Sequence, residues 1–226
     1  MKNNEIEEIR DSADELITTD KFKKLTGIDP HQFKFDKTDL NGKYVTKYDN
    51  GNIKTITHYK NGKLDGEYEE YYKNGNIKIK CNYKDGKLEG EYKEYFENGN
   101  IKSKSNYIND KLNGKCIEYF ENGNIFIKCS FKNDKLNGSY FLYYKNNIIH
   151  IKSYYKDGKM DGELIVYYEN GNISNKGNYK NDKLEGEYFT YTKNGKIKKH
   201  ELYKNGEVVK DYLNGGGRWL NINYIL

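Results

Sequence analysis

A glycine recurs every 24 residues along most of this chain, and this period constrains the fold more than any other sequence feature. A second glycine series keeps the same period, with Asn147 replacing glycine once. Self-similarity with a period of about 20–50 residues is typical of repeat architectures, in which each unit packs only against its neighbours. The first series comprises Gly42, Gly66, Gly90, Gly114, Gly138, Gly162 and Gly186, and the second comprises Gly51, Gly75, Gly99, Gly123, Gly171 and Gly195.

The repeating unit contains two stretches in which apolar and polar residues alternate, such as residues 66–72 and 77–83. Alternation with a period of two predicts β-strands. Asn-Gly dipeptides such as Asn74-Gly75 are the strongest short hairpin signal, so we expect a two-residue loop there and a longer loop at residues 60–65. The chain is therefore predicted to be all-β, an elongated single-layer antiparallel β-meander of 24-residue hairpin repeats with about fifteen strands.

The period also predicts which residues face each other, because one register must satisfy both turns of every unit. One face of the sheet then carries the aromatic residues, each beside a small residue or a repeat glycine, which fills space evenly. The other face carries lysine and glutamate in opposition. The predicted pairs are Tyr68 with Cys81, Gly66 with Tyr83, Tyr72 with Ile77, Thr57 with Tyr68, Ile53 with Tyr72, and Tyr59 with Gly66.

The composition agrees with an array that has no central core. Only 35% of the 226 residues are apolar and 32% are charged, a balance close to that of disordered chains. The 24 Tyr and 9 Phe contradict disorder, because disordered chains are poor in aromatic residues. A secretory signal and a long apolar stretch are both missing from the sequence, and three cysteines are too few for a disulfide scaffold. We therefore expect a cytoplasmic protein.

The two ends of the chain differ from the repeats. Residues 1–39 are predicted to form an acidic N-terminal cap with a short amphipathic helix, because Ile6, Ile9 and Ala13 recur at helical spacing. The repeat array is predicted to span residues 40–212, and residues 213–226 form a Gly-rich linker with an apolar end. Both ends are interpreted as caps of the array, with docking of a partner as the alternative.

The unit, which reads GNIKxKxNYKNGKLxGEYxEYYEN, resembles the MORN repeat, specifically its bacterial variant. The resemblance covers residues 40–212 and recurs six or more times. It implies an elongated antiparallel sheet. Bacterial proteins built from this variant are often grouped as antitoxin-like, and repeats of the wider family serve as scaffolds, associate with themselves and have been linked to membrane phospholipids.

The residue pattern predicts neither an enzyme nor a cofactor or metal site. The histidines, at positions 31, 58, 150 and 200, fall at different repeat positions on separate strands. Cys81 and Cys129 lie two units apart, roughly 19 Å by strand spacing, which is too far for a disulfide. The recurrent glutamates (Glu67, Glu91, Glu163 and Glu187) are interpreted as cross-strand partners of lysine.

These observations predict a non-enzymatic scaffold that binds another protein, which the resemblance suggests is a toxin or effector. Peripheral attachment to anionic phospholipid through lysine, or self-assembly, is the alternative. Nucleic acid is disfavoured, because Arg10 and Arg218 are the only arginines and each lysine has a glutamate neighbour. Tyrosine is enriched at interfaces, so the candidate interaction surface consists of Tyr68, Tyr92, Tyr140, Tyr188, Tyr72, Tyr144 and Tyr168.

Overall fold

The computed structural model describes residues 40–214, and this part of the chain is all-β. Its 21 strands are antiparallel and belong to one sheet, with no helix among the described residues. The all-β repeat architecture predicted from the sequence is confirmed. The predicted N-terminal helix and the apolar C-terminal segment beyond residue 214 lie outside the described residues. Contacts divide the described chain into a first unit, residues 40–101 with 107–110, and a second unit, residues 102–106 with 111–214.

Long, very short and medium strands alternate along the chain. The long strands are β2 (Ile53–Lys60), β5 (Ile77–Lys84), β8 (Ile101–Ile108), β11 (Ile125–Lys132), β14 (Ile149–Lys156), β17 (Ile173–Lys180) and β20 (Ile197–Lys204). The two-residue strands are β3 (Lys63–Leu64), β6 (Lys87–Leu88), β9 (Lys111–Leu112), β12 (Lys135–Leu136), β15 (Lys159–Met160) and β18 (Lys183–Leu184). The medium strands are β1 (Gly42–Lys47), β4 (Gly66–Tyr71), β7 (Gly90–Tyr95), β10 (Gly114–Tyr119), β13 (Gly138–Tyr143), β16 (Gly162–Tyr167), β19 (Gly186–Tyr191) and β21 (Glu207–Asp211).

Each two-residue strand is separated from the next strand by a single residue, and this break is a β-bulge. The Asp65 N–H donates to the His58 carbonyl at 2.8 Å, and Gly66 has a φ of +118° that favours glycine. The bulge moves Leu64 opposite Tyr59, so the predicted pairing of Tyr59 with Gly66 is wrong. Joining each two-residue strand to its successor leaves fifteen strands, as the sequence predicts.

The tight turn of the unit is the one predicted to be long. Lys60 opposes Lys63, so only Asn61 and Gly62 form the loop, with φ values of 48° and 75°. Two positive φ values define a type I′ turn, which matches the twist of the flanking strands. Asparagine, aspartate and glycine occupy both positions in every unit because these residues tolerate positive φ.

The Asn-Gly turn between units is longer than predicted. The Gly75 N–H donates to the Tyr72 carbonyl at 2.9 Å, and the Tyr72 N–H donates to the Asn76 carbonyl at 2.8 Å. The loop therefore has three residues, and only Gly75 has a positive φ, at 88°. This geometry is a type I turn followed by a G1 bulge. The sequence-based prediction assigned the two-residue loop to the wrong one of the two turns.

The register predicted between units is confirmed over most of its length. Tyr68 opposes Cys81 and Gly66 opposes Tyr83 in the observed ladder. At the end of the strand the register shifts by one residue, so that Tyr71 and not Tyr72 opposes Ile77. We define the aromatic face as the side that carries Tyr68, Cys81 and Tyr83 with their repeat equivalents. The charged face is the opposite side.

Hydrogen bonds between successive tight turns hold neighbouring repeats together. Where the second loop residue is glycine, as in Gly86, its N–H donates to a leucine carbonyl of the preceding repeat. Where this residue is Asp134, its N–H donates to the Leu112 carbonyl at 3.0 Å and its carboxylate accepts the Leu112 N–H at 2.7 Å. Aspartate can therefore replace glycine at this position. Its positive φ is unfavourable for a residue with a side chain, but its carboxylate adds a hydrogen bond between repeats.

Candidate functional site

A row of small residues runs down the aromatic face of each unit and is its most buried line. Cys81 is 2% exposed and lies opposite Tyr68, and Ser153 is 3% exposed and lies opposite Tyr140. The alternation of large and small side chains therefore follows the prediction. At Gly177 even a Cβ atom would lie 2.7 Å from the Tyr188 ring, so the ring fills the whole position.

Four of the predicted surface tyrosines pack edge-to-face against a second tyrosine on the aromatic face. The ring centroids of Tyr68 and Tyr83 are 5.7 Å apart, a separation typical of favourable aromatic pairs. Burial raises the pKa of Tyr68 to about 12. The other three pairs are Tyr92 with Tyr107, Tyr140 with Tyr155, and Tyr188 with Tyr203. The geometry gives these four rings a structural task, and their predicted role in binding stays a prediction.

The other three predicted tyrosines use their hydroxyl groups to join one repeat to the next. Tyr72 donates to the Tyr95 carbonyl at 2.7 Å, and Tyr144 donates to the Tyr167 carbonyl at 2.9 Å. Tyr168 makes the equivalent bond to Tyr191 at 2.7 Å. Their rings lie beside the wider turns, where His150 stacks on Tyr144 with ring centroids 4.3 Å apart.

The charged face carries the predicted pairs of lysine and glutamate. Lys80 lies 2.7 Å from the Glu69 carboxylate and 3.7 Å from Glu67. Hydrogen bonds from Lys80 and Tyr71 lower the pKa of Glu69. In the second unit, Lys152 and Lys176 each lie 3.4 Å from Glu163. Among the recurrent glutamates, Glu67 and Glu163 are thus cross-strand partners of lysine, as predicted. Glu91 instead pairs with Lys93 of its own strand, and Glu187 lies 3.4 Å from His200.

A second set of lysines flanks the tight turns, where like charges oppose each other in register. These exposed pairs, which we call the lysine edge, form no ion pair among residues 40–214. Directly opposed like charges destabilise a sheet, so the arrangement is costly for the array. The pairs are Lys60 with Lys63, Lys84 with Lys87, Lys132 with Lys135, Lys156 with Lys159, and Lys180 with Lys183.

The aromatic face of the second unit contains an apolar patch that the sequence analysis missed. Leu142 lies between Ile127 and Ile151, and Ile151 in turn opposes Val166. All four side chains are half-buried. The equivalent row of the first unit reads Thr55, Glu70, Ile79 and Glu94. Aligning the repeats with one another reveals this difference from the sequence. The same repeat position holds glutamate at 70, 94 and 118 but Leu142 and Val166 in the two repeats that follow.

A model of the MORN repeat variant matches six segments that together cover more than half of the chain. The chain belongs to the MORN repeat family. The matched segments are residues 40–61, 64–85, 88–109, 112–133, 160–181 and 184–205. MORN repeats are non-catalytic modules that generally bind proteins or membranes. No curated protein matches the sequence.

The MORN matches leave out residues 134–159, and this stretch includes part of the apolar patch. Leu142 and Ile151 both lie in it, as does Asn147, which replaces a turn glycine and has a φ of 66°. The backbone nevertheless follows the repeat, since the Asn147 N–H donates to the Tyr144 carbonyl as Gly75 donates to Tyr72. The departure from the MORN pattern therefore lies in the side chains and not in the fold.

A pair of cysteines is brought together that the sequence analysis did not consider. Cys116 lies directly opposite Cys129 on the aromatic face, and both are buried. The sequence analysis compared Cys81 only with Cys129, although the predicted register already places Cys116 in that row. The register of Tyr68 with Cys81, moved forward by two periods, would have predicted this pair.

The described part of this MORN chain shows neither a metal site nor a membrane-spanning helix. Between residues 40 and 214, no group of three or more histidine, cysteine, aspartate or glutamate side chains is arranged to hold a metal ion. Within the same range, no helix is long and apolar enough to cross a membrane. His31, which was considered as a ligand, lies outside the described residues.

Proposed function

We propose that this chain is a non-enzymatic scaffold that binds a partner protein on the aromatic face of its second unit. The observation that carries the proposal is the replacement of glutamate by Leu142 and Val166 at one fixed repeat position. The first unit shows that the fold accepts Glu70 and Glu94 at this position, so the fold does not require an apolar residue there.

The chemistry of the patch fits a protein interface. Interface centres are depleted in charge and enriched in aromatic residues, and Leu142 lies two residues from Tyr140 on the same face of β13. No other strand among residues 40–214 covers this face in the second unit, so its apolar side chains stay half-exposed. Contiguous exposed apolar surface marks interaction sites in soluble proteins. Among the tyrosines of the predicted interaction surface, Tyr140 lies at the centre of the proposed interface.

The test compares two glutamate substitutions in the same strand. Leu142→Glu introduces the residue type of Glu118, which occupies this position one repeat earlier with Phe126 in place of Lys78, so the array should fold. Ser139→Glu adds the same charge on the charged face, at the position of Glu67, and serves as the matched control. In capture from the native cell, we expect Leu142→Glu to lose a partner at least tenfold, because a charge is buried without a counter-charge. Equal capture by both variants would refute the proposed surface.

We further propose that the partner is a toxic protein and that the scaffold acts in the cytoplasm as its antitoxin. The support is the resemblance of the repeat to the antitoxin-like variant, together with three free cysteines, which suit a reducing compartment. Each protein encoded by a neighbouring gene is expressed alone and together with the scaffold. We expect one of these proteins to inhibit growth when expressed alone, and co-expression of the scaffold to restore growth. If neighbouring proteins are harmless, or toxic equally with and without the scaffold, this assignment is wrong.

The lysine edge favours attachment to an anionic membrane as a second candidate function. Unpaired lysines near an anionic surface contribute about 1 kcal/mol each, and the second unit places Lys132, Lys135, Lys156 and Lys159 side by side in two neighbouring hairpins. Attraction to phosphate would offset the repulsion within each pair. Self-assembly is the remaining alternative, and sedimentation at increasing protein concentration would detect it.

Sedimentation with vesicles that contain phosphatidylserine tests the membrane candidate. Changing these four lysines to glutamine should abolish salt-sensitive co-sedimentation. The control changes Lys152 and Lys176, which already pair with Glu163, and should retain most of the binding. If the wild-type protein stays in the supernatant at low salt, the membrane candidate is refuted. The proposal of a protein-binding scaffold is not affected by that result.

A further inference from the structure

The pair formed by Cys116 and Cys129 breaks the packing rule of the row in which it lies. In the neighbouring repeats a small residue faces a large one, as Cys81 faces Tyr68 and Ser153 faces Tyr140. Here two small residues face each other. A tyrosine at position 116 would follow the rule of the neighbouring repeats, so packing alone gives no reason for cysteine at this position.

The backbone holds the Cα atoms of the two cysteines at a separation within the range that disulfides span. The Asn137 N–H donates to the Ser130 carbonyl, so the backbone groups of Ser130 point toward β13 and those of Cys129 point toward β10. Cys116 and Cys129 therefore form a hydrogen-bonded pair, for which Cα atoms lie about 5.5 Å apart. Disulfides span Cα separations of about 4.4–6.8 Å.

We propose that Cys116 and Cys129 form a redox-active dithiol that a small-molecule disulfide oxidises to an intrachain disulfide between β10 and β11. The thiolate of one cysteine attacks one sulfur of the oxidant, forms a mixed disulfide and releases one thiolate. The other cysteine then loses its proton to solvent and attacks the sulfur of the first, which releases the second thiol of the oxidant. Two protein thiols are oxidised and one disulfide molecule is reduced to two thiols.

The surroundings of the pair predict a slow reaction. A hydrogen bond between the two thiols favours loss of the first proton from the pair and raises the pKa for loss of the second. The negative charge of Glu118 opposes formation of a thiolate at either cysteine. Cys116 and Cys129 are 8% and 5% exposed, so an oxidant reaches them only when the sheet opens locally.

The test incubates the full-length folded protein in glutathione buffers of graded redox ratio, followed by intact mass and peptide mapping. We expect the mass to fall by two hydrogen atoms, one free thiol of the three to remain, and the peptides of Cys116 and Cys129 to be linked. Cys81→Ser should form the same linked peptides but keep no free thiol, because Cys81 faces a tyrosine and takes no part in the bond. Cys129→Ser should form no intrachain bond.

Two variants separate the redox role from a structural one. Cys116→Tyr restores the large residue that neighbouring repeats carry, so it should fold and should form no intrachain disulfide at any ratio. Glu118→Gln removes the charge next to the thiols and should accelerate oxidation several-fold. The proposal fails if the folded wild-type protein keeps three reduced thiols across the series, or if it stops at mixed disulfides. It also fails if Glu118→Gln leaves the rate unchanged.

Discussion

The two units use the same backbone for different side chains, and one row of the aromatic face shows this most clearly. In the first unit the row includes Thr55, Glu70, Ile79 and Glu94. In the second, four apolar residues stand between Glu118 and Asn175, namely Ile127, Leu142, Ile151 and Val166. The cross-strand registers are identical in form. Turn chemistry and backbone hydrogen bonds therefore fix the array, and positions between the turns are free to carry charge or an apolar surface.

A second position shows the same contrast on the charged face. Glu69 of the first unit is bound by Lys80, whereas Ile165 of the second unit lies between Lys152 and Lys176 in the ladder and is 7% exposed. Long lysine side chains cover apolar surface with their methylene groups while their charged ends stay in water. The two solutions should have very different energies, and the following predictions test how far the comparison holds.

The largest expected effect is at Ile165. Ile165→Ala should lower the free energy of unfolding by about 2–4 kcal/mol, because it removes buried methylene groups and leaves a cavity. Glu69→Ala, at the same repeat position, should cost less, about 1–2 kcal/mol, since it removes the hydrogen bonds from Lys80 and Tyr71. Urea denaturation of both variants measures the difference. Equal losses would show that the two units are stabilised in the same way.

The tight turns give the next largest effect. Asp134→Ala should cost about 1–2 kcal/mol, because alanine disfavours the φ of 63° and cannot accept the Leu112 N–H. Asp134→Gly loses only the hydrogen bond and should cost less, since Gly86 serves at the same position of the first unit. Thermal unfolding should rank the wild type first, then the glycine variant and then the alanine variant. A reversed order of the two variants would contradict the account of the turn.

A smaller effect is expected where tyrosine hydroxyl groups join repeats. Tyr144→Phe should lower the free energy of unfolding by about 0.5–1.5 kcal/mol, because the Tyr167 carbonyl loses its 2.9 Å hydrogen bond. Phe120 already occupies this position one repeat earlier, so the variant should keep the fold. Circular dichroism confirms the fold and chemical denaturation measures the loss. No measurable change would mean that water replaces the hydroxyl without cost.

The smallest effect at neutral pH is that of Tyr68, which becomes visible only in alkali. Burial raises the pKa of Tyr68 from 10.0 to about 12, so the folded chain retains a proton that the unfolded chain releases. Its contribution to stability is complete below pH 10 and is lost as the pH rises toward about 12. The melting temperature of the wild type should fall faster over this range than that of Tyr68→Phe. Parallel curves would show that folding does not raise the pKa of Tyr68.

Much of the fold could be predicted from the sequence, because the 24-residue period reports directly on the repeating hairpin. The row of Tyr68 with Cys81 was correct since strand alternation and one fixed turn determine it. The two turns were exchanged because Asn-Gly suits both a type I′ loop and a G1 bulge. The hydrogen bonds of the next repeat decide between them. The bulge at Asp65 escaped prediction because it depends on a hydrogen bond to the His58 carbonyl of the opposite strand.

The predicted interaction surface stays a prediction, and reading the repeat as a consensus concealed some exceptional residues. The sequence also did not predict that the Tyr72 hydroxyl donates to the Tyr95 carbonyl of the next repeat. Leu142 and Cys116 were overlooked, although both stand out once the repeats are compared position by position. Their meaning comes from their cross-strand neighbours, which a single repeat does not contain.

The glycine period by itself determined that this chain forms a repeating antiparallel sheet with an aromatic and a charged face, because strand alternation and turn residues act locally. The tertiary structure decided which turn is tight, where the bulges lie and which exceptional residues meet. These features depend on hydrogen bonds between repeats, as when Asp134 accepts the Leu112 N–H, and on side chains from different strands, as when Cys116 faces Cys129. Such partners are 22 and 13 residues apart, beyond the reach of any local preference.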